Sequence, residues 1–384
     1  MLTRSNSRSA QPRVAIVHDA LVTRGGAERV VTYMCEAFPD APVFTSVYLP
    51  DRTYEEFRHR EVHVLPGARW VRDQPGTKRF LPLWIVGFRA LDLKGFDAVL
   101  SSSTFGAKHV RPPAGVRHAG YLYAPFRLAW KPEAYDPSSV PVGRVGRWAV
   151  AVTRPLLRAG DRRATARIPA LATTCRNMAE EIVRCYGRDA RIIPAPVRLN
   201  EYRVGAGSGE YYLAVSRLIS HKRIDLAIEA CKHLRKRLIV VGDGPQRDYL
   251  QRLGDEEHVR FVGAMPRQQL VDLYAGCRAL LFCSHEDYGL VPIEAQASGR
   301  PVIAYGAGGV LETVIDGRTG ILFKEQTVEA LVDAMRAFEQ RCFDAGEIRR
   351  SVERFDVPGF VSAIREFALD SAAVTAGVST DACV

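Results

Sequence analysis

Short apolar runs alternate along the chain with segments whose apolar residues recur at the spacing of a helix. After the first run, Val30, Val31, Met34 and Phe38 illustrate that helical spacing. Apolar runs that alternate with helices predict parallel sheets and therefore an α/β fold. The predicted strands cover residues 14–18, 97–101, 118–123, 211–215, 237–241, 259–262 and 279–283.

The alternation of strands and helices divides into two halves. Residues 205–209 read Gly-Ala-Gly-Ser-Gly, a composition typical of linkers, and the strand–helix rhythm starts again after them. A chain of 384 residues is long enough for two domains with separate cores. We predict domains at 13–200 and 201–355, a further helical segment at 356–371, and flexible tails at 1–12 and 372–384.

The composition narrows the class of protein. Hydrophobic residues make up 47% and charged residues 25% of the chain, as in soluble globular proteins. The polar first residues lack the apolar core of a signal peptide, and the longest apolar stretch, 80–88, is too short to span a bilayer. The eight cysteines are scattered without a C-x-x-C pair, which predicts reduced thiols and a cytoplasmic protein.

The net charge of +10 is unevenly spread, and residues 144–167 form a basic segment with interleaved apolar residues. Such a segment fits the anionic surface of a membrane or a pyrophosphate-bearing substrate, but an ordinary solvated helix face explains it equally well. Nucleic acid is disfavoured, because no helix-turn-helix, zinc or RNA-binding pattern accompanies the charge. The arginines of this segment, opposed only by Asp161, are Arg144, Arg147, Arg154, Arg158, Arg162, Arg163 and Arg167.

Two acidic residues follow the last predicted strand. Glu286 comes shortly after the strand at 279–283, and Glu294 comes two residues after Pro292, which suits the first position of a helix. Glu286 is therefore predicted in the loop at the carboxyl end of a strand, where open α/β sheets bind ligands, and Glu294 in the first turn of the next helix. Alternatively, Glu294 is only a helix cap that offsets unpaired N–H groups.

Two loops carry features that suit phosphate. Arg217 and Lys222 lie between the strand at 211–215 and the next helix, where the planar fork of an arginine, a lysine charge and free N–H groups at a helix start bind a diphosphate well. Gly25 and Gly26 open the first helix, and glycines let backbone N–H groups approach a phosphate or sugar closely. The alternatives are a solvated basic loop and glycines that only permit a turn.

These features together resemble the E-x7-E motif and the upstream Arg/Lys pair of retaining nucleotide-sugar glycosyltransferases of group 1, also called family 4. That family has the GT-B fold, in which two Rossmann-like domains face each other across a cleft. Residues 17–29 and 124–130 are similar to the subgroup that builds bacterial surface polysaccharides, many members of which are mannosyltransferases. The resemblance covers nearly the whole chain and implies that segment 356–371 crosses back onto the N-terminal domain.

The resemblance also implies roles for individual residues. It assigns catalysis to Arg217, Lys222 and Glu286, with Glu286 on the transferred sugar and Glu294 on the ribose hydroxyls. Tyr123 and Arg127 are expected near the sugar or the acceptor, although Tyr123 stands where the family has a histidine and cannot act as a base near neutral pH. The residues expected to bind the donor are Gly25, Gly26, Gly242, Met265, Tyr288, Gly289, Leu290 and Glu294.

The reaction implied is metal-independent, because no Asp-x-Asp motif occurs in the chain and fixed positive charge has to stabilise the leaving diphosphate instead. No cofactor and no metal site are expected. The favoured donor is GDP-mannose and the expected acceptor is a saccharide on a polyprenyl lipid, at the inner face of the plasma membrane. The alternatives are a UDP-sugar-dependent hexosyltransferase, another GT-B enzyme such as an epimerase, and a non-catalytic relative that binds lipid or nucleic acid.

Overall fold

Two parallel β-sheets, one in each half of the chain, organise the molecule. A computed structural model describes residues 12–71, 80–131, 144–207 and 209–370. The N-terminal sheet has the strand order β3-β2-β1-β4-β5-β6-β7, and every pairing in it is parallel. Its strands are β1 (Val14–His18), β2 (Val43–Thr45), β3 (Val62–Val64), β4 (Ala98–Ser103), β5 (Arg117–Leu122), β6 (Ala170–Thr173) and β7 (Arg191–Ile192).

The C-terminal sheet is built in the same way from the second half of the chain. Its strand order is β10-β9-β8-β11-β12-β13, again with parallel pairings throughout. Its strands are β8 (Tyr212–Val215), β9 (Leu238–Val241), β10 (Val259–Gly263), β11 (Ala279–Phe282), β12 (Val302–Tyr305) and β13 (Gly320–Phe323). Apart from the edge strand β10, these strands are mostly buried, and they consist mostly of apolar residues.

Helices connect the strands and cover the two sheets. Among the described residues the N-terminal half has α1 (Gly26–Ala37), α2 (Leu81–Arg89), α3 (Arg127–Trp130), α4 (Arg144–Ala166) and α5 (Arg176–Tyr186). The C-terminal half has α6 (Ile224–His233), α7 (Arg247–Leu253), α8 (Arg267–Gly276), α9 (Leu290–Ala297), α10 (Val328–Glu339), α11 (Ala345–Ser351) and α12 (Val357–Leu369). Helix α4 continues through Pro155.

The last helix returns to the first domain. Helix α12 packs against α1 and the strands β4 and β5, and its Phe360, Ile364 and Phe367 belong to the core of the N-terminal domain. The chain therefore crosses between the halves twice. The two crossings lie side by side, since the amide of Val197 donates to the carbonyl of Phe355 at 2.8 Å.

The glycine-rich stretch at 205–209, predicted as the linker, is instead fastened to the C-terminal domain at its first residues. The buried Arg300 guanidinium donates hydrogen bonds to the carbonyls of Ala206 (3.1 Å) and Gly207 (2.7 Å). The amide of Gly205 donates to the carbonyl of Ser298 at 3.1 Å. The covalent crossing from the first domain lies earlier in the chain, around Val197.

The predicted α/β class and the predicted strands are confirmed, with shifts of one or two residues at their ends. The pattern did not reveal β2, β3, β6, β7, β12 and β13, which have only two to four residues each. None of the helices in the described parts of the chain is long and apolar enough to cross a membrane.

Candidate active site

The carboxyl edge of the C-terminal sheet opens at the boundary between β8 and β11. These strands are neighbours, but the chain after β8 leads to β9 on one side and the chain after β11 leads to β12 on the other. Loops that diverge in this way leave a crevice at the sheet edge, the usual ligand site of open α/β sheets. The loop after β8 carries Arg217 and Lys222, and the loop after β11 carries Glu286.

Lys222 and Glu286 form an ion pair at this crevice. The ammonium of Lys222 donates to Oε1 of Glu286, and the Ser284 hydroxyl donates to the same oxygen at 2.9 Å. Both side chains are largely buried, with 14% and 25% of their surface exposed. Burial alone would raise the pKa of Glu286, but Lys222 and the Ser284 hydrogen bond outweigh it and lower that pKa. The pair is therefore charged at neutral pH.

Arg217 lies at the mouth of the same crevice. Its side chain is exposed and forms no ion pair with any residue that the structure describes. Its charge acts on Glu28 of the N-terminal domain, whose pKa it lowers, and on His221 beside Lys222. Arg217 is thus a free cation that faces the other domain, as the binding of an anionic diphosphate requires.

The side-chain partners of Glu294 differ from those of Glu286. Helix α9 begins at Leu290, so Glu294 lies in its second turn and not, as predicted from Pro292, in the first. Its carboxylate accepts a hydrogen bond from the Tyr274 hydroxyl at 2.8 Å and lies 3.6 Å from the guanidinium of Arg267. These two contacts fix the position of the carboxylate, and only 14% of the side chain is exposed. Its assignment to the ribose stays a prediction.

The Gly25–Gly26 turn faces the start of α9 from the other domain. A Cβ atom on Gly26 would lie 3.4 Å from Cδ1 of Leu290, so this turn and the E-x7-E segment are in contact. The Tyr54 hydroxyl holds the turn by donating to the carbonyl of Gly25 at 3.2 Å. The sequence motifs of the two halves therefore meet at one cleft.

Tyr123 lies beneath that turn. Its hydroxyl donates to the carbonyl of Ala27 at 3.1 Å and shares a 2.9 Å hydrogen bond with the hydroxyl of Ser102. Burial raises the pKa of Tyr123. In this arrangement the tyrosine supports the first turn of α1, whereas the histidine expected at this position in the family contacts the sugar.

Arg127 bridges the domains. Its guanidinium donates to Oδ2 of Asp287 at 2.5 Å, and this ion pair is partly exposed at the cleft. Asp287 lies within the E-x7-E segment, but its side chain was not singled out from the sequence.

Four of the residues predicted to bind the donor have structural roles in the protein. Gly242 has φ of 128°, and a Cβ there would lie 1.8 Å from the carbonyl oxygen of Ser216. Gly289 has φ of 87° and precedes α9, and Met265 packs partly buried on the core of the C-terminal domain. The Tyr288 hydroxyl donates to the carbonyl of Ala195 at 2.8 Å, so its side chain joins the two domains.

Sequence reasoning missed Asp19 on the N-terminal side of the cleft. Its buried carboxylate accepts hydrogen bonds from the Ser103 hydroxyl and from the backbone amides of residues 104–107, at 2.6 to 3.0 Å. It thereby joins the loop after β1 to the loop after β4 at the boundary where the strand order of this sheet reverses. The signal available was its place directly after a buried strand.

Glu312, in the segment between β12 and β13, contacts the N-terminal domain. Its two carboxylate oxygens accept hydrogen bonds from the backbone amides of Arg176 and Asn177, each at 3.1 Å. These amides are at the start of α5 in the other domain, where an anion also complements the helix dipole. Glu312 therefore caps a helix across the domain interface.

The basic segment divides into inward and outward arginines. Arg154 and Arg158 donate to the carbonyl of Ala129, and Arg162 donates to the carbonyl of Cys185, at 2.9 to 3.0 Å. These three side chains stabilise neighbouring helices. Arg163 and Arg167 are exposed to solvent. Across the described residues, no group of three or more histidine, cysteine or acidic side chains has a geometry that would hold a metal ion.

Comparison with known proteins agrees with this architecture. The crystal structure of Anabaena HepE in complex with UDP superposes with a TM-score of 0.68 at 18% identity and covers 92% of this chain and 98% of its own. Sucrose-phosphate synthase from Thermosynechococcus elongatus gives a TM-score of 0.69 at 19% identity, with 96% and 98% coverage. At such identities the similarity concerns the fold, and it confirms the predicted GT-B arrangement of two Rossmann-like domains.

A family profile and sequence relatives match part of the chain. Residues 205–345 match the profile of the family described as Glycosyl transferases group 1. A GDP-mannose-dependent alpha-(1-6)-phosphatidylinositol monomannoside mannosyltransferase of Mycolicibacterium smegmatis is 36% identical over 165 residues, which are 38% of this chain and 43% of the relative. A D-inositol 3-phosphate glycosyltransferase of Nocardia farcinica is 30% identical over 210 residues, 46% of each chain. The matches thus span less than half the length of these relatives.

Proposed function

We propose that this protein is a retaining, metal-independent glycosyltransferase that moves a hexose from a nucleoside diphosphate to a saccharide. The observation that carries the proposal is the convergence of Arg217, Lys222 and Glu286 at the crevice between β8 and β11. Opposite them, the Gly25–Gly26 turn lies against the start of α9. The match of residues 205–345 to the profile of a glycosyltransferase family supports the same reaction.

The charges suit the chemistry of glycosyl transfer. When the bond from the anomeric carbon to the diphosphate oxygen breaks, negative charge develops on the leaving group, and Arg217 and Lys222 stabilise it electrostatically. The acceptor oxygen attacks on the same face, and its proton passes to the departing phosphate oxygen. Once Lys222 is shared with a phosphate, Glu286 is released to accept hydrogen bonds from hydroxyls of the transferred sugar.

The favoured donor is GDP-mannose and the favoured acceptor is a lipid-linked saccharide, polyprenyl-linked by the family resemblance. The name of the Mycolicibacterium smegmatis relative, a GDP-mannose-dependent enzyme acting on a phosphatidylinositol monomannoside, supports both assignments. Calorimetric titration with GDP-mannose, GDP, UDP-glucose and UDP tests the donor. Binding of the guanine nucleotides alone is expected, and binding of UDP-glucose alone would replace mannose by another hexose.

The site assignment is tested by substitution. Lys222→Ala and Glu294→Gln are each expected to lower turnover at least tenfold, a loss of about 1.4 kcal/mol of transition-state stabilisation. Lys324→Ala and Glu329→Gln, at exposed positions of the same domain, serve as matched controls. Circular dichroism at 25 °C verifies that each variant is folded. Unchanged turnover in both site variants would refute the assignment.

The metal-independent mechanism has its own test. Because positive side chains replace a divalent ion in the proposal, activity measured after dialysis against EDTA is expected to equal that of untreated enzyme. Activity that is lost with EDTA and returns with Mg²⁺ or Mn²⁺ would exclude stabilisation by side chains alone.

We further propose that one face of α4 and the neighbouring α2 rests on an anionic membrane. Val152 and Leu156 are 57% and 74% exposed, and they lie on the same side of α4 as Arg163, at helical spacing. The exposed Arg167 directly follows this helix. Apolar side chains beside arginines suit binding to a bilayer interface. Val86 of α2 is also exposed, at 62%, and Arg89 at the end of this helix is within electrostatic reach of Arg167.

The charge of this surface is concentrated. Burial and the nearby Arg111 and Arg167 lower the pKa of Arg89 at the end of α2, so these three arginines lie within electrostatic reach of one another. Co-sedimentation with vesicles of phosphatidylcholine and phosphatidylglycerol is expected for the wild type and to be lost in Leu156→Asp. Tyr249→Asp, at a position 49% exposed on the C-terminal domain, is the control. Equal co-sedimentation of both variants would contradict membrane docking by this face.

A further inference from the structure

Glu28 is a buried acid that none of the proposed steps uses. It lies in the first turn of α1, directly after the Gly25–Gly26 turn, and only 7% of the residue is exposed. Its side chain folds back over that turn, since a Cβ atom on Gly25 would lie 2.5 Å from Oε2 of Glu28. No cation lies within ion-pair distance of it in the described parts of the chain. A carboxylate buried without an ion-pair partner is costly and calls for an explanation.

The groups around Glu28 come from four other elements. Asp19 after β1 repels its charge, while Arg217, in the loop after β8 of the other domain, attracts it. Glu28 in turn raises the pKa of Tyr54 before β3 and of Tyr123 after β5, so both phenols face it. The only cation among these groups is thus Arg217, which stands across the cleft.

The charged and neutral forms of the Glu28 carboxyl group have similar free energies near neutral pH. Burial raises the pKa of Glu28 to about 7, while Arg217 and the backbone amides of Gly25 and Glu28 itself lower it in part. A small change in the charge nearby therefore decides whether this side chain is ionised.

We propose that Glu28 takes up a proton from solvent when a nucleoside diphosphate binds to Arg217, and that the neutral carboxyl group then positions the Gly25–Gly26 turn for the donor. The inference rests on the proposed function. A diphosphate on Arg217 compensates the cation that attracts Glu28 and brings negative charge to the same cleft. An anionic Glu28 is then repelled, whereas a protonated one can remain folded over Gly25.

Proton uptake makes nucleotide affinity depend on pH. Above the point at which free Glu28 ionises, each pH unit is expected to weaken GDP binding by up to about tenfold, because one proton must be taken up. Below that point Glu28 is already neutral, and this contribution to the pH dependence vanishes. Glu28→Gln keeps the shape and is permanently neutral, so its affinity is expected to change less than about twofold from pH 7.5 to 8.5.

Calorimetric titration of GDP into wild type, Glu28→Gln and the exposed control Glu329→Gln tests the proposal, at pH 7.5 and 8.5 in Tris and HEPES. Because the two buffers differ in ionisation enthalpy, the heats report the number of protons taken up. We expect uptake approaching one proton in wild type and control, none in Glu28→Gln, and tighter binding by Glu28→Gln than by wild type at pH 8.5. Equal uptake by all three proteins, or an affinity loss in Glu28→Gln that is the same at both pH values, overturns the role of Glu28. Absence of binding by GDP and UDP in the wild type instead overturns the proposed function, and the inference with it.

Discussion

The charged residues in the cleft differ in their ion-pair and hydrogen-bond partners. Glu286 is paired with Lys222, Glu294 is bound by Tyr274 and Arg267, and Arg217 has no ion-pair partner among the described residues. A group already bound by the protein keeps a defined geometry before substrate arrives, which favours transition-state stabilisation. The positive charge of the unpaired Arg217 is therefore available to bind an anionic ligand.

At this scale the Lys222–Glu286 pair predicts a pH-dependent stability. Since the pKa of Glu286 is lowered on folding, the pair stabilises the fold above the pKa of an unfolded glutamate and loses that effect as pH falls through the folded pKa. Lys222→Met leaves Glu286 buried without its cation and is expected to lower the free energy of unfolding by about 2 kcal/mol at pH 7. The loss should shrink toward pH 5 as Glu286 of the variant becomes protonated. Urea unfolding measures both, with Lys324→Met as the control, and a loss independent of pH would contradict the charge argument.

At the scale of elements, the loops at the carboxyl edge depend on close backbone approach. The turn after β9 passes so near the turn after β8 that only a hydrogen fits at Gly242, and the amide of Gly242 donates to the carbonyl of Gly263 at 2.9 Å. The loop that carries Arg217 and the loop that carries Met265 are thereby held together through Gly242.

Two glycine substitutions should therefore have opposite effects. Gly242→Ala introduces a methyl group against the Ser216 carbonyl at a φ of 128° and is expected to destabilise the protein by roughly 3 kcal/mol or more. Gly359→Ala, in α12 with nothing within 4 Å of the new methyl, is expected to stabilise it by about 0.5–1 kcal/mol. Thermal unfolding with calorimetry measures both. A neutral Gly242→Ala would mean that these loops are not packed as described.

At the scale of the whole molecule, polar contacts hold the two domains in one arrangement. Glu312 caps α5, Arg127 pairs with Asp287, and the Tyr288 hydroxyl reaches Ala195. Each of these contacts opposes cleft opening by a modest free energy. Opening about the adjacent crossings near Val197 and Phe355 is the expected hinge motion.

Glu312→Gln is expected to favour the open arrangement. The amide loses the charge that complements the start of α5, a cost of about 0.5–2 kcal/mol for a helix cap. Small-angle X-ray scattering should then show a larger radius of gyration than for wild type, and saturating GDP should reduce the difference. Glu325→Gln, exposed on the same domain, is the control. An unchanged radius of gyration would show that Glu312 does not hold the cleft closed.

The sequence by itself determined the α/β class, the longer strands and the place of both motifs at strand ends. These depend on local patterns, because a buried parallel strand needs an apolar run and the residues after it necessarily lie at the sheet edge. Shorter strands such as β2 and β7 carried too few residues for a pattern. The start of α9 was misplaced because Pro292 fits inside a first turn as well as at its first position.

The tertiary structure alone decided which side chains meet. Lys222 contacts Glu286 across 64 residues of sequence, and the charge of Arg217 acts on Glu28 of the other domain. Three arginines of α4 turn inward to backbone carbonyls, and Arg300 fastens the glycine-rich stretch that the composition suggested as a linker. The physical reason is the same in each case. A charged side chain pairs with the group that packing brings within a few ångströms. The local sequence does not indicate which strand or domain will supply that group.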